Sequence, residues 1–191
     1  KLTLADNVAA AIDDLDAADA TDVVLVGHSV GGITVAHVLN AVPKRIARVV
    51  LVSCTIPPDG SAVIDHIDPD VRESVMAGAG GGVFRLDEET VLDILCHDLD
   101  DEQTAFALDG MVDETTSILG EVVDLTGLRS GVPVTYVRLT ADRTLPPDQQ
   151  DAAIAAIGSP EVIDLDSGHM AMIGRPAELA AILNEVAARP R

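Results

Sequence analysis

The chain has 191 residues, 48% of them apolar and 23% charged, which suits one globular domain with a sizeable core and room for a small insertion. A formal charge of −20 would repel phosphates, so nucleic acid and anionic membranes are poor partners, and solubility or adaptation to salt is the plainer use of the charge. Aromatic residues make up only 2%, so the core has to be built from Ala, Val, Leu and Ile.

Taken in chain order, Thr3-Leu4-Ala5-Asp6 predicts a helix start, with Thr3 as N-cap and Asp6 in the first turn. Val8, Ile12 and Leu15 follow at helical spacing, opposite Asp13, Asp14 and Asp16. Asp22-Val23-Val24-Leu25-Val26 is a β-branched run that predicts a buried parallel strand. Ile33–Leu39 predicts a helix stopped by Pro43, and Pro43-Lys44-Arg45 a turn. Arg48–Ser53 predicts the next buried strand. Helices alternating with apolar strands predict a parallel sheet with helices on both faces.

That rhythm breaks at Ile56-Pro57-Pro58-Asp59-Gly60. From there to about Arg129 no core strand is predicted, only brief helices over Asp87–His97, Asp100–Leu108 and Asp113–Leu119, with Gly78–Gly82 as a flexible connector. Residues 57–129 are therefore expected to form a helical lid inserted into a core made of residues 1–56 and 130–191. The sheet resumes at Val132–Leu139, followed by the turn Thr140–Pro147 and a helix over Gln149–Ile157. Glu161–Leu165 predicts a last strand and Asp166-Ser167-Gly168-His169 a loop. Pro176 opens a final helix with Leu179, Ile182, Leu183 and Val186 on its inner face. Cys54 and Cys96 form no C-x-x-C pair, so a metal or redox site is not expected, and a buried thiol and a partly exposed one are. No segment reads as a signal peptide or a membrane span, which points to a cytoplasmic protein.

Gly27-His28-Ser29-Val30-Gly31-Gly32 lies between the predicted strand at 22–26 and the helix at 33–39. A strand reversing into a helix crowds the backbone around its central residue, so small neighbours are needed there. The turn lifts the Ser29 hydroxyl above the sheet at a helix N-terminus, where negative charge is favoured. The plain alternative is a glycine-rich turn whose serine caps the helix. A serine needs a base with a pKa near neutrality, and that base needs an acid to fix its tautomer. Asp142 follows the strand at 132–139 and His169 follows the strand at 161–165, so the order is Ser, Asp, His, each just past a strand. His37, His66 and His97 lie on the helix after Ser29 or in the expected lid, where packing or substrate contact would account for them. Asp148, Asp164 and Asp166 compete with Asp142, while Ser53, at the end of the preceding strand, cannot serve as the acid.

These stretches resemble the α/β-hydrolase superfamily, in particular its methylesterase and hydroxynitrile-lyase branch. The matching residues are Gly27–Gly32, Arg138-Leu139-Thr140-Ala141-Asp142-Arg143-Thr144-Leu145-Pro146, Gly168-His169-Met170-Ala171-Met172 and Arg175-Pro176. The resemblance implies a doubly wound, mostly parallel sheet with a small helical lid. It also implies serine esterase chemistry on small esters, with Ser29, Asp142 and His169 as triad and the Val30 N–H in the oxyanion hole. The cyanohydrin-cleaving members carry a lysine after the catalytic histidine; Met170 stands there and favours hydrolysis. Met170 and His28, beside the base and the nucleophile, are the expected substrate contacts, although a standard turn aims the His28 side chain away from the nucleophile. Further strands and a short His-Gly-type loop, which would supply the second oxyanion donor, are expected upstream of Lys1.

The expected partner is a small-molecule ester with a modest apolar group, since Phe84 and Phe106 are the lid's only aromatics. A homodimer is compatible with the sequence, and no metal or organic cofactor is called for. The same scaffold also hosts small-molecule receptors and lyases, cyclases or thioesterases of biosynthetic pathways.

Overall fold

The computed structural model describes residues 2–67, 72, 83–84, 86–158 and 160–190. Helix α1 (Leu4–Ala17) starts at a reciprocal capping box in which Thr3 and Asp6 satisfy each other's backbone N–H groups. It leads into β1 (Val23–His28), which runs two residues past the expected strand, to the edge of the turn at Ser29. Helix α2 (Gly31–Ala41) ends before a 3-10 turn at Pro43–Arg45, and β2 (Ile46–Val52) follows.

After the insertion come β5 (Val134–Leu139), α4 (Pro147–Ile157) and β6 (Glu161–Leu165). Pro133 cannot donate to a ladder, so β5 begins after it, while its carbonyl still accepts from the Val49 N–H at 3.0 Å. A one-turn helix α5 (Ala171–Gly174), too short to show as a period, precedes α6 (Pro176–Ala188).

The four strands form one parallel sheet in the order β1-β2-β5-β6. Side chains alternate along β2: Val49 and Leu51 join a core with Leu4, Ile33, Leu39, Tyr136 and Ile157, while Val50 and Val52 join Val137, Leu139, Leu179 and Val186 on the other face. Helices α1, α2 and α4 thus cover one face and α6 the other, which is the doubly wound architecture expected. Strand β1 lies at the sheet edge, and no described residue pairs with its outer side.

The inserted segment departs from its expected helices in two places. Residues 88–95 are a short α-helical turn, Glu88–Thr90, running into a π-helical turn, Val91–Leu95; α3 (Asp101–Asp109) matches its expectation. Residues 113–119 are not a helix. Glu114–Thr115 is strand β4, paired antiparallel with β3 (Val83–Phe84), and Ser117–Gly120 is a 3-10 turn. The Gly78–Gly82 connector lies outside the described residues. Both ends of the segment pack into the main core, through Val63 on one side and Ile118, Val123, Leu125 and Leu128 on the other. Its middle forms a smaller cluster of Val91, Cys96 and Ala107 with Leu95, Leu99 and Ile173. Phe106 is exposed, and both cysteines are free and buried, so the expected partly exposed thiol is not found.

Candidate active site

A parallel sheet gathers its functional groups at the C-terminal ends of its strands, and here each of the four ends carries a polar residue. Ser29 follows β1, with φ +53. Its N–H continues the ladder to the Val52 carbonyl at 3.2 Å, and its carbonyl accepts from the N–H groups of Gly32 and Thr55, both at 3.1 Å. The strained turn is therefore pinned to the chain on both sides, which is what a left-handed serine needs to persist.

The glycines divide into two kinds. A Cβ on Gly27 would lie 2.8 Å from Val35 Cγ2, and one on Gly32 would lie 2.6 Å from Cys54 Cβ. Gly31 has open space around it, so only the outer pair is required by close approach. The Val30 N–H, at the head of α2, has no acceptor among the described residues and is one of the unsatisfied donors of a helix start.

Asp142 and His169 form a buried pair, each 3% exposed, with His169 Nδ1 2.7 Å from Asp142 Oδ2. A carboxylate can only accept, so Nδ1 carries the proton and Nε2 is left as the basic nitrogen. The Asp142 carboxylate is held by four donors: His169 Nδ1 and Ser53 Oγ (2.6 Å) on Oδ2, and the N–H groups of Thr144 (2.8 Å) and Leu145 (3.0 Å) on Oδ1. Burial pulls its pKa upward, but the hydrogen bonds from His169, Ser53 and Leu145 outweigh it and hold the carboxyl below its ordinary value. Among the described residues no hydrogen bond joins Ser29 Oγ to His169 Nε2. In unliganded sites that contact is commonly open and tightens with substrate.

The rival acids have other occupations. Asp164 pairs with Arg138 at 2.8 Å in an exposed bridge, and Asp148 sits in the first turn of α4. Among the other histidines, His37 Nε2 accepts from the Asp124 N–H and His66 bonds Ser61 Oγ. His28 behaves differently from its neighbours. Its Nε2 donates to the His169 carbonyl at 2.9 Å and its ring lies 4.6 Å from the His169 ring. Burial, with a smaller contribution from the neighbouring His169, lowers its pKa to about 4, so near neutrality it is an uncharged Nε2–H donor to the His169 backbone.

Ser53 is the residue sequence reasoning passed over. It is fully buried, follows β2 with φ +39, and donates its hydroxyl to Asp142. Excluding it as an acid hid its use as a donor; the signal available was its place at the end of the strand adjoining β5. Among the described residues no cluster of three or more His, Cys, Asp or Glu side chains has metal-ligand geometry, and no helix is long and apolar enough to cross a membrane.

Residues 2–182 match the model of the alpha/beta hydrolase family. The chain belongs to that family. It is 30% identical to the lipase LipV of Mycobacterium tuberculosis over 95% of this chain and 74% of LipV, and 26% identical to methylesterase 17 of Arabidopsis thaliana over 86% of this chain and 66% of that protein. Among solved structures, an extracellular alpha/beta-hydrolase from a Paenibacillus species, described as sharing structural and functional homology with tobacco salicylic acid binding protein 2, superposes with a TM-score of 0.88. That match is at 23% identity and covers 99% of this chain and 81% of that one. These relatives put the chain in the methylesterase-like branch. The chain spans 52% to 74% of the length of the curated relatives it matches.

Proposed function

We propose that the chain carries the triad of a serine esterase that hydrolyses a small carboxylic ester. The observation that carries this reading is the buried His169–Asp142 pair, with Nε2 free of the proton, on the same sheet end as a strained Ser29 at a helix start. Ser29 Oγ attacks the ester carbonyl carbon while His169 Nε2 takes its proton. The oxyanion of the tetrahedral intermediate is met by the Val30 N–H and by the positive end of α2. Collapse breaks the bond to the alkoxy group, which leaves as the alcohol with the proton from His169, and the acyl group stays on Ser29. Water, deprotonated by His169, then attacks the acyl carbonyl; the carboxylic acid departs and Ser29 regains its proton. Asp142 keeps the imidazole in the required tautomer and stabilises its cation.

Met170 bears no charge, so a leaving cyanide would have no cation beside the base there; this supports ester hydrolysis over cyanohydrin cleavage. Methylesterase and lipase relatives support the same class of substrate. The expected result with p-nitrophenyl acetate is loss of about 10⁴-fold or more in kcat for Ser29→Ala, with an unchanged circular dichroism spectrum. Turnover by the alanine variant at the wild-type rate would refute the nucleophile.

A further inference from the structure

The base's loop is held from a second side, by a part of the inserted segment that the chemistry above does not use. Asp98 Oδ2 accepts from the Gly168 N–H at 2.7 Å, immediately before His169. The approach is so close that a Cβ on Gly168 would overlap the Asp98 carboxylate and lie 2.7 Å from His97 Cε1, so any larger residue would have to push both side chains aside. Neighbouring residues of the same segment make three further ties. Gln103 Nε2 donates to the Ile173 carbonyl at 3.0 Å, beyond the base; Arg143 Nη1 donates to Asp93 Oδ1 at 3.0 Å and Thr144 Oγ1 to the Ile94 carbonyl at 2.9 Å, just beyond the acid. Leu95 and Leu99 pack with Ile173 in one apolar cluster.

Among the described residues, two buried side-chain polar atoms lack a hydrogen-bond partner, and both are here: His97 Nδ1 and Asp98 Oδ1. An unpaired buried carboxylate oxygen costs stability, so a carboxylate is a poor choice if the position serves folding alone. What the carboxylate does achieve is a charge-assisted hydrogen bond to the backbone N–H of Gly168, one residue before the base.

We propose that residues 93–103 act as a brace rather than a free flap, with Asp98 as a positioning residue that fixes His169 through the Gly168 N–H. The brace grips the loop after the acid and the loop that carries the base together, while His28 holds the His169 carbonyl from the sheet side. The two-residue stretch Gly168-His169 is thereby held at its first N–H and at its last carbonyl, and with it the direction of Nε2. This inference rests on the esterase reading, since it assigns Asp98 its role through His169. Misplacing a catalytic group by about an ångström can cost about 10²-fold in rate with little effect on binding.

The test is steady-state hydrolysis of p-nitrophenyl acetate by the wild-type chain, D98A, D98N, Q103A and S29A. The brace predicts that D98A loses about 10- to 100-fold in kcat with KM within about twofold, because the fault lies in the base's position. D98N keeps an oxygen for the Gly168 N–H and should retain kcat within about threefold. Q103A, which removes the tie to Ile173, should lose about two- to fivefold, again without a change in KM. Should D98A fail to fold, D98N and Q103A decide the matter. The proposal is overturned by wild-type kcat in D98A, by D98N falling as far as a folded D98A, or by wild-type kcat in Q103A. Turnover retained in S29A would instead overturn the esterase reading, so the two failures are distinct.

Discussion

Replacing His28 with phenylalanine should flatten the acid limb of the protein's stability. In the folded chain the His28 pKa is lowered from the ordinary 6.5 to about 4, by burial first and by the neighbouring His169 second. Between those values the unfolded chain binds a proton that the folded chain refuses, so stability is full above pH 6.5 and is lost as pH falls toward 4. A tenfold change in proton affinity is worth about 1.4 kcal/mol, so His28 alone should remove about 3 kcal/mol between about pH 7.5 and about pH 4. That is a large share of the roughly 5–15 kcal/mol that holds a domain together. Asp142 titrates in the same direction but lower, because its carboxyl is held below its ordinary 3.8, and its contribution is common to both proteins. The phenylalanine also leaves the His169 carbonyl without the Nε2–H, which costs about 1–3 kcal/mol at every pH and shifts the curve without tilting it. The assay is urea unfolding at a series of pH values, comparing slopes rather than absolute stabilities. Parallel curves for the two proteins would refute a neutral, half-buried His28.

Two further predictions follow from the geometry of the site. Ser53→Ala removes one of the four donors to Asp142 and should cost about 1.5–3 kcal/mol at neutral pH, a loss that shrinks in acid as the carboxyl takes a proton; equal stability at pH 7 would show the hydroxyl to be idle. Gly31→Ala meets open space at the start of α2 and should be neutral or stabilise by up to about 1 kcal/mol, whereas Gly32→Ala drives a methyl into Cys54 and Ile56 and should cost about 1–3 kcal/mol. Equal shifts in thermal unfolding midpoint for the two glycine variants would contradict the packing described.

The main sheet was legible because its strands are rich in β-branched and aliphatic residues, most fully in β2, which is buried along nearly its whole length. Its boundaries were less so: β1 continues through Gly27 and His28, which have low strand preference but pair with Leu51 and Val52. Residues 113–119 were misread because Ile118 and Leu119 suggest a helix, while what decides their conformation is pairing with Val83–Phe84, far away in sequence. Ser29, Asp142 and His169 could be nominated from their strand-end positions, and the structure brings Asp142 and His169 together. His28 and Asp98 could not, because their partners are backbone groups of the base's loop, 141 and 70 residues away, and no local pattern encodes a contact to a peptide N–H or carbonyl.

Strand order explains why the missed serine belongs to the site. Neighbouring strands lie about 4.8 Å apart, so the ends of β1 and β6 are about 14 Å apart across the sheet, too far for a serine and a histidine to meet directly. The loop after β6 must fold back over the sheet, and the 4.6 Å between the rings of His28 and His169 shows that it does. Asp142 travels with it, and its carboxylate comes to lie over the end of β2, where Ser53 donates to it. That position is fully buried, so a larger side chain has no room and an apolar one leaves Oδ2 with His169 as its single donor. The positive φ at Ser53, like that at Ser29, marks a strained turn at a strand end: under the proposed mechanism Ser29 presents its hydroxyl to the carbonyl of a substrate, while Ser53 donates its hydroxyl to Asp142, which in turn bonds His169.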